Sequence, residues 1–342
     1  MAINRVLFAT QTVVIKMPVL TGGSTGDYDI YLPAQSASAD ETIPQDDVLV
    51  MGKIDGVARL QKDVSTSKAS VKAYIAASGK FNDTSKTTWP PSGDSGHVGV
   101  FHTLFNDLEV SAVEGKQLTV TCDSTGAVST ATDGFEMLGI VSSIGVDASK
   151  GGFPTLDLAF EGIGRIDTLN MGAGATGSLS NAHGGAKSIY SLEPLISTDV
   201  SLGTDADAGD TINSVKFSFD MPTETLSRMG GVIMGKHENV KDDNAIFSKP
   251  PYKASMTCDG QSLLKVEKVW RDAGVDTLQS SANGAGGIGF KLKKGSVAGC
   301  SIFVSHAGAS VSARSFSQNV GDVGATFSVS AEGTGMTVIV AS

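Results

Sequence analysis

Thr155-Leu156-Asp157-Leu158-Ala159-Phe160-Glu161-Gly162-Ile163-Gly164 and Thr326-Phe327-Ser328-Val329-Ser330-Ala331-Glu332-Gly333-Thr334-Gly335 share one pattern, 171 residues apart in a chain of 342. Leu156, Leu158 and Phe160 fall on Phe327, Val329 and Ala331, and Glu-Gly follows in both. Apolar residues at every second position make one face of a half-buried strand. A strand pattern that returns after half the chain points to a mainly β protein with an internal repeat.

Two further pairs extend the repeat. Ser67 to Ile75 puts Ala69, Val71, Ala73 and Ile75 opposite Lys68, Ser70, Lys72 and Tyr74. Tyr252 to Asp259 puts Tyr252, Ala254, Met256 and Cys258 opposite Lys253, Ser255, Thr257 and Asp259. Lys-Ala-Ser occurs in both, at Lys68 and Lys253, an offset of 185. A looser match aligns Val48, Val50 and Ala58-Arg59-Leu60 with Phe217, Phe219 and Ser227-Arg228-Met229 at an offset of 169. The extra length is expected in Gly230 to Lys249, a polar stretch before Pro250-Pro251 where a loop absorbs insertions.

One helix is expected in each half. Val98, Phe101, Leu104 and Phe105 have helical spacing after Asp94 and Ser95; Leu263, Val266 and Trp270 have it between Ser262 and Gly274. The order in both halves reads strands, long loop, strand, helix, strands. Residues 167–188, crowded with Gly, Ala and Ser, read as the linker between a first domain of residues 1–166 and a second of residues 189–342. Thr21 to Gln45 and Gly79 to Ser95 read as long polar loops, a length that in a compact domain marks function or contact with a neighbour.

Composition narrows the function. The 41 glycines, with many Ser, Thr and Val, favour short strands and tight turns. A formal net charge of −10 and the absence of a dense Lys/Arg run argue against static binding to nucleic acid, which needs cations to displace counterions. Cys122, Cys258 and Cys300 are dispersed and odd in number, as expected of buried free thiols; no Cys-x-x-Cys suggests zinc. No apolar run reaches the ~18 residues of a membrane span, and Met1 to Arg5 lead into a strand-like segment without a signal peptide's apolar core. Synthesis and assembly in a cytoplasm are the expectation.

Four stretches spell motifs of known chemistry, and each lacks the context that chemistry needs. Gly22-Gly23-Ser24-Thr25-Gly26 spells a nucleophile elbow, but a strand-like Asp27 to Pro33 follows where a helix is required. Gly93-Asp94-Ser95-Gly96 has the serine-protease nucleophile pattern, but the first histidine, His97, follows the serine. Gly172-Ala173-Gly174-Ala175-Thr176-Gly177 fits a dinucleotide fingerprint without the helix that would face pyrophosphate. Asp205, Asp207 and Asp210 lack the remaining ligands of a calcium loop. No catalytic, cofactor-binding or metal-ligating residue is therefore assigned, and a non-enzymatic protein is expected.

Several stretches carry a family resemblance. Asn4-Arg5-Val6-Leu7 opens the chain, and Val48-Leu49-Val50-Met51-Gly52-Lys53 leads through Arg59-Leu60-Gln61 into the strand from Lys68. Ser214-Val215-Lys216-Phe217-Ser218-Phe219-Asp220-Met221-Pro222, Thr225-Leu226-Ser227-Arg228-Met229-Gly230 and Pro250-Pro251-Tyr252-Lys253-Ala254-Ser255-Met256 follow in the second half. Gly321-Asp322-Val323-Gly324-Ala325-Thr326-Phe327 belongs to the closing turn and strand. Together they resemble the bacteriophage tail tube domain, the major tail protein of siphophages in its duplicated form. The resemblance implies two tandem β-sandwich or barrel domains, each with one flanking helix. The chain is expected to depart from the duplicated variant in one respect: the second repeat reads through to Ser342, leaving no appended immunoglobulin-like domain.

It also implies stacked rings, hexameric or formed by three duplicated chains, around a channel for genome ejection. The expected partners are the chain itself, the tail terminator, tape measure and distal tail proteins, and double-stranded DNA as transient, non-specific cargo. No cofactor and no membrane enter. The expected place is the virion tail, after assembly in the host bacterial cytoplasm. Asp157, Glu161, Asp220 and Glu332, at polar positions of expected strands, are the candidate channel-lining residues. Leu118 to Gly164 also has the strand, turn and strand rhythm of a capsid decoration or head-fibre protein, the alternative reading; a bacterial surface adhesin is a third class.

Overall fold

A computed structural model describes residues 11–17, 28–32, 34–48, 51, 58–61, 65–75, 100–124, 134–149, 152–164, 166–169, 191–193, 212–227, 244–260, 288–294, 297–305, 310–318 and 326–341. The chain is mainly β, with one helix among the described residues. The first half holds β1 (Gln11–Met17), β2 (Tyr28–Leu32), β3 (Ala34–Thr42), β4 (Gln45–Val48), β5 (Ala58–Gln61), β6 (Thr66–Tyr74), α1 (Val100–Glu114), β7 (Leu118–Ser124), β8 (Gly134–Ser149), β9 (Thr155–Ile163) and β10 (Asp167–Leu169). The second holds β11 (Ser191–Glu193), β12 (Ile212–Asp220), β13 (Thr223–Ser227), β14 (Asn244–Ser248), β15 (Lys253–Gly260), β16 (Ile288–Lys294), β17 (Val297–Ser305), β18 (Ser310–Ser317), β19 (Thr326–Gly333) and β20 (Gly335–Ala341).

Every pairing is antiparallel, and β8 is the junction. Its first residues pair with β7 and β10, in the order β2-β1-β7-β8-β10. From Ile140 onward it pairs with β9 on one side and β12 on the other. The result is an eight-stranded sheet, β3-β6-β9-β8-β12-β15-β19-β18. Its two halves have the same strand order: β3-β6-β9-β8 is followed by β12-β15-β19-β18. The outer layers agree as well, since β1-β7-β8-β10 is matched by β11-β16-β17-β20.

The agreement extends to irregularities. The β8–β9 ladder has a bulge between Val141 and Ser143, and the β18–β19 ladder has one between Val311 and Ala313, at the same distance from the Glu161 and Glu332 pairings. The β3–β6 ladder slips between Ala34 and Ser36, as the β12–β15 ladder does between Ile212 and Ser214. Bulges mark one position along otherwise uniform strands. Both place the halves in the same relative register, in which Ala34 corresponds to Ile212, Ala73 to Gly260, Phe160 to Ala331 and Val141 to Val311.

That register corrects several sequence expectations. The β9 and β19 match stands at its offset of 171, but Lys68 corresponds to Ser255 and not to Lys253. The offset of 169 is also displaced: Phe217 and Phe219 lie on the counterpart of β3, and the β4–β5 hairpin corresponds to the β13–β14 hairpin. Thr21 to Gln45 is no continuous loop, because it contains β2 and β3. Alanine and serine have weak strand propensity, but Ala34, Ala37 and Ala39 pack against the core and the serines face outward. Asp167–Leu169, read as linker, pairs with β8. The first helix begins at Val100 and runs on to Glu114. The second expected helix, Gly79 to Ser95, the Asn4 strand, the rest of the linker and the four motifs set aside lie outside the described residues.

One core spans both halves. The row Ala37, Val71, Leu158, Ile144, Phe219 and Ala254 crosses the sheet in unbroken register from β3 to β15. Val13, Ile15 and Met17 of β1, Leu118 and Val120 of β7, and Leu108 and Ala112 of α1 close over the apolar face. Each fully buried aliphatic or aromatic side chain there contributes ~1.5–3 kcal/mol. Helix α1 ends at Gly115, whose φ of 67° lets the Lys116 amide donate to Ser111 O and the Gly115 amide to Ala112 O. A Cβ at Gly115 would clash with the edge of the Phe247 ring of β14, so the end of the first half's helix rests directly on the second half's hairpin. Beside the point where β8 changes sheets, a Cβ at Gly162 would clash with the Leu138 carbonyl oxygen, which explains the glycine.

Candidate assembly face and polar wall

Strand alternation gives the eight-stranded sheet a second, polar face. β6, β9 and β15 alternate buried and more accessible residues along their whole length, as period two requires. Asp157 and Glu161 of β9, Asp220 of β12 and Glu332 of β19 all lie on this polar face, spread over both halves. Lys68 Nζ contacts Glu161 Oε1 at 2.8 Å, Lys72 contacts Asp157 at 3.6 Å, and Lys253 contacts Glu332 at 3.6 Å. Asp220 accepts a 2.6 Å hydrogen bond from Ser143 Oγ.

These four carboxylates stand in a wider polar setting that strand alternation alone does not reveal. Asp40, Asp147 and Asp259 share the face, as do Lys68, Lys72, Lys216 and Lys253. Among the described residues of this wall, seven carboxylates against four lysines leave three net negative charges. Ser38 pairs with Ser70, Ser218 with Ser255 and Thr257 with Ser330, each at 2.8 Å, and Asp259 accepts from Ser214 at 2.8 Å. Exposed ion pairs contribute little stability singly. Their consequence is chemical: each lysine has a carboxylate across or diagonal to it, so the wall offers small hydroxyls and neutralised cations. Cross-strand pairing needs the fold; the alternation of Ser36 to Asp40 was the overlooked signal in the sequence.

Glu161 ties the two halves together. Burial alone would raise its pKa, but the hydrogen bond from Lys68, a hydrogen bond from the Thr223 hydroxyl and the Lys68 charge hold it below the ordinary 4.5. Lys68 is correspondingly raised by the hydrogen bond and charge of Glu161. A depressed carboxylate contributes stability that is complete above its unfolded pKa and is lost as pH falls through the folded one. Acidification below about pH 4.5 is therefore expected to weaken the join between halves. Melting temperatures measured across acid pH should fall less steeply in Glu161→Gln than in the unaltered chain; parallel curves would remove Glu161 from this role.

The sheet has two edges, β3 and β18, and among the described residues no strand pairs with the outer side of either. Exposed edges are pairing templates unless covered. Between the halves, the edge of one unit meets the edge of the next through β8 and β12, where Ile144 faces Phe219 and Val146 faces Phe217 on the apolar side. The β13–β14 hairpin completes that join: Ile246 is buried, and Ser248 Oγ donates to the Ala112 carbonyl at 3.0 Å. On its counterpart β4–β5, Gln45, Asp46 and Asp47 are exposed.

Cys122 and Cys258 are buried, and burial with the nearby Asp259 charge pushes the Cys258 thiol up to about 12. Among the described residues no group of three His, Cys, Asp or Glu could hold a metal ion, and no helix is long and apolar enough to cross a membrane. No family model matches the chain, and no curated protein matches it.

Proposed function

We propose that this chain is the subunit of a bacteriophage tail tube, joining copies of itself head to tail into rings that stack around a genome conduit. The observation that carries the reading is a repeated four-strand unit, already joined once edge to edge within the chain, with the same two edges unpaired at either end among the described residues. A head-to-tail contact that closes by rotation makes a ring. Helix α1 and the β1 and β7 strands cover the apolar face, so in a closed ring these layers must lie outside and the polar face inside.

Three copies would close about twenty-four strands, which at ~4.8 Å spacing gives a barrel roughly 37 Å across before tilt widens it. Barrels of about 16–18 strands already leave an aqueous channel. A wall with three net negative charges among its described residues and every lysine there beside a carboxylate would not hold a phosphate backbone, which binds by exchanging counterions for Lys and Arg. DNA would pass such a wall without sticking. Asp157, Glu161, Asp220 and Glu332 would all contribute to that lining, together with the serines between them.

Negative-stain imaging of the purified chain tests the reading. Rings or hollow rods with three-fold or pseudo-six-fold end views are expected. A monodisperse single chain at every concentration, without rings, would overturn it.

A further inference from the structure

We propose that β18 of one copy pairs antiparallel with β3 of the next in the register that β8 and β12 use inside the chain, setting Phe316 opposite Ala39, Ser317 opposite Ser38 and Arg314 opposite Glu41. The proposal rests on the ring reading above and specifies its joint. The bulges make Val141 correspond to Val311 on β8 and β18, and Ala34 to Ile212 on β3 and β12. Transferring the internal pairs Ser143 with Asp220 and Val146 with Phe217 then gives Ala313 with Thr42 and Phe316 with Ala39.

The chemistry of the two edges fits this register. Phe316 is 59% exposed, although it stands opposite Phe327, on the sheet face that holds buried Cys258 and Met256. Ala37 and Ala39 on β3 are small, half-buried and packed against the core. Inside the chain the small residue is on β8 (Val146) and the large one on β12 (Phe217); across the joint the large one is on β18 and the small one on β3. The volume is exchanged between sides and roughly kept, which well-packed interiors require. At the position where Ile144 stands opposite Phe219 internally, Arg314 falls opposite Glu41, a residue whose Oε2 accepts a 3.4 Å hydrogen bond from the Ile166 amide. On the polar side, Ser315 falls opposite Asp40.

The same transfer brings the β4–β5 hairpin of the next copy to the surface that β13–β14 occupies within the chain. Gln45 takes the place of Thr223 and Glu332 that of Glu161, so the exposed hairpin gains the contact its counterpart already has. Joints between copies are thus more polar than the joint within a copy, and salt should weaken assembly before it weakens the fold.

Disulfide trapping tests the register. Chains carrying Ser38→Cys are assembled with chains carrying Ser317→Cys, mildly oxidised and compared on a non-reducing gel with Ser38→Cys and Ser315→Cys mixtures. Directly opposed residues come within disulfide reach, while a diagonal neighbour sits ~7–8 Å away, beyond it. Covalent dimers an order of magnitude more abundant with Ser317→Cys are expected. A second mixture, Thr42→Cys with Ala313→Cys, reads the same register elsewhere, so an assembly defect in one pair leaves the other decisive. Rods that form but cross-link through Ser315→Cys would overturn the register and leave the ring reading intact; failure of the unaltered chain to form rings or rods would overturn both.

Discussion

Replacing Phe316 with aspartate is expected to leave the chain folded and to stop it polymerising. In the single chain this side chain is largely exposed, and such surface changes stay within about 0.5 kcal/mol. At the joint it would be buried against Ala39 of the next copy. Losing a buried phenylalanine removes ~1.5–3 kcal/mol, and an aspartate there must also shed its water. A combined loss of about 3 kcal/mol lowers association roughly a hundredfold per joint, and a closed ring needs every joint at once. An unchanged melting temperature with loss of rods in the microscope is the expected pair of results. Rods indistinguishable from those of the unaltered chain would take Phe316 out of the joint.

Phe160→Ala is expected to be the most destabilising single change in the core, at ~3–5 kcal/mol. Phe160 is fully buried, with Ala69 of β6 directly opposite it on one side and Val141 of β8 on the other. Alanine is what the second half carries at this position, Ala331, so the strand itself tolerates it. The loss is therefore one of volume and contact, not of backbone fit. Against a total stability of ~5–15 kcal/mol, that change would leave the fold marginal. The shift of the denaturant midpoint, with an unchanged slope, measures it; a loss under about 1 kcal/mol would mean that the core closes around the gap.

Much of this was legible without coordinates, and the reason is local. The facing of Ala69, Val71, Ala73 and Ile75, and of Ala254, Met256 and Cys258, follows from period two, and the structure buries all of them. The recurrence of that pattern half a chain later marked Thr155 to Ile163 and Thr326 to Gly333, which are β9 and β19. The carboxylates Asp157, Glu161 and Glu332 were placed on a polar sheet face by the same alternation. Ser36 to Asp40 alternates as clearly, but alanine supplies so little apolar surface that the stretch reads as loop until β6 is beside it.

What period two leaves undetermined is position along a strand. A slip of one residue exchanges the two faces, but a slip of two keeps every side chain facing as before. The Lys-Ala-Ser match made that slip, aligning Lys68 with Lys253 where the ladders align it with Ser255. Two bulges, at Val141 and Ala34 in one half and at Val311 and Ile212 in the other, remove the ambiguity, and a bulge exists only in a pairing. Which strands are neighbours, which lysine meets which carboxylate and which edges stay open likewise depend on contacts between residues far apart in the chain. The amino-acid order thus determined a repeated, two-faced β protein, because burial of alternate side chains is a property of each strand alone. The junction at β8 and the two open edges were decided by tertiary structure, because hydrogen-bond pairing is a property of two strands together.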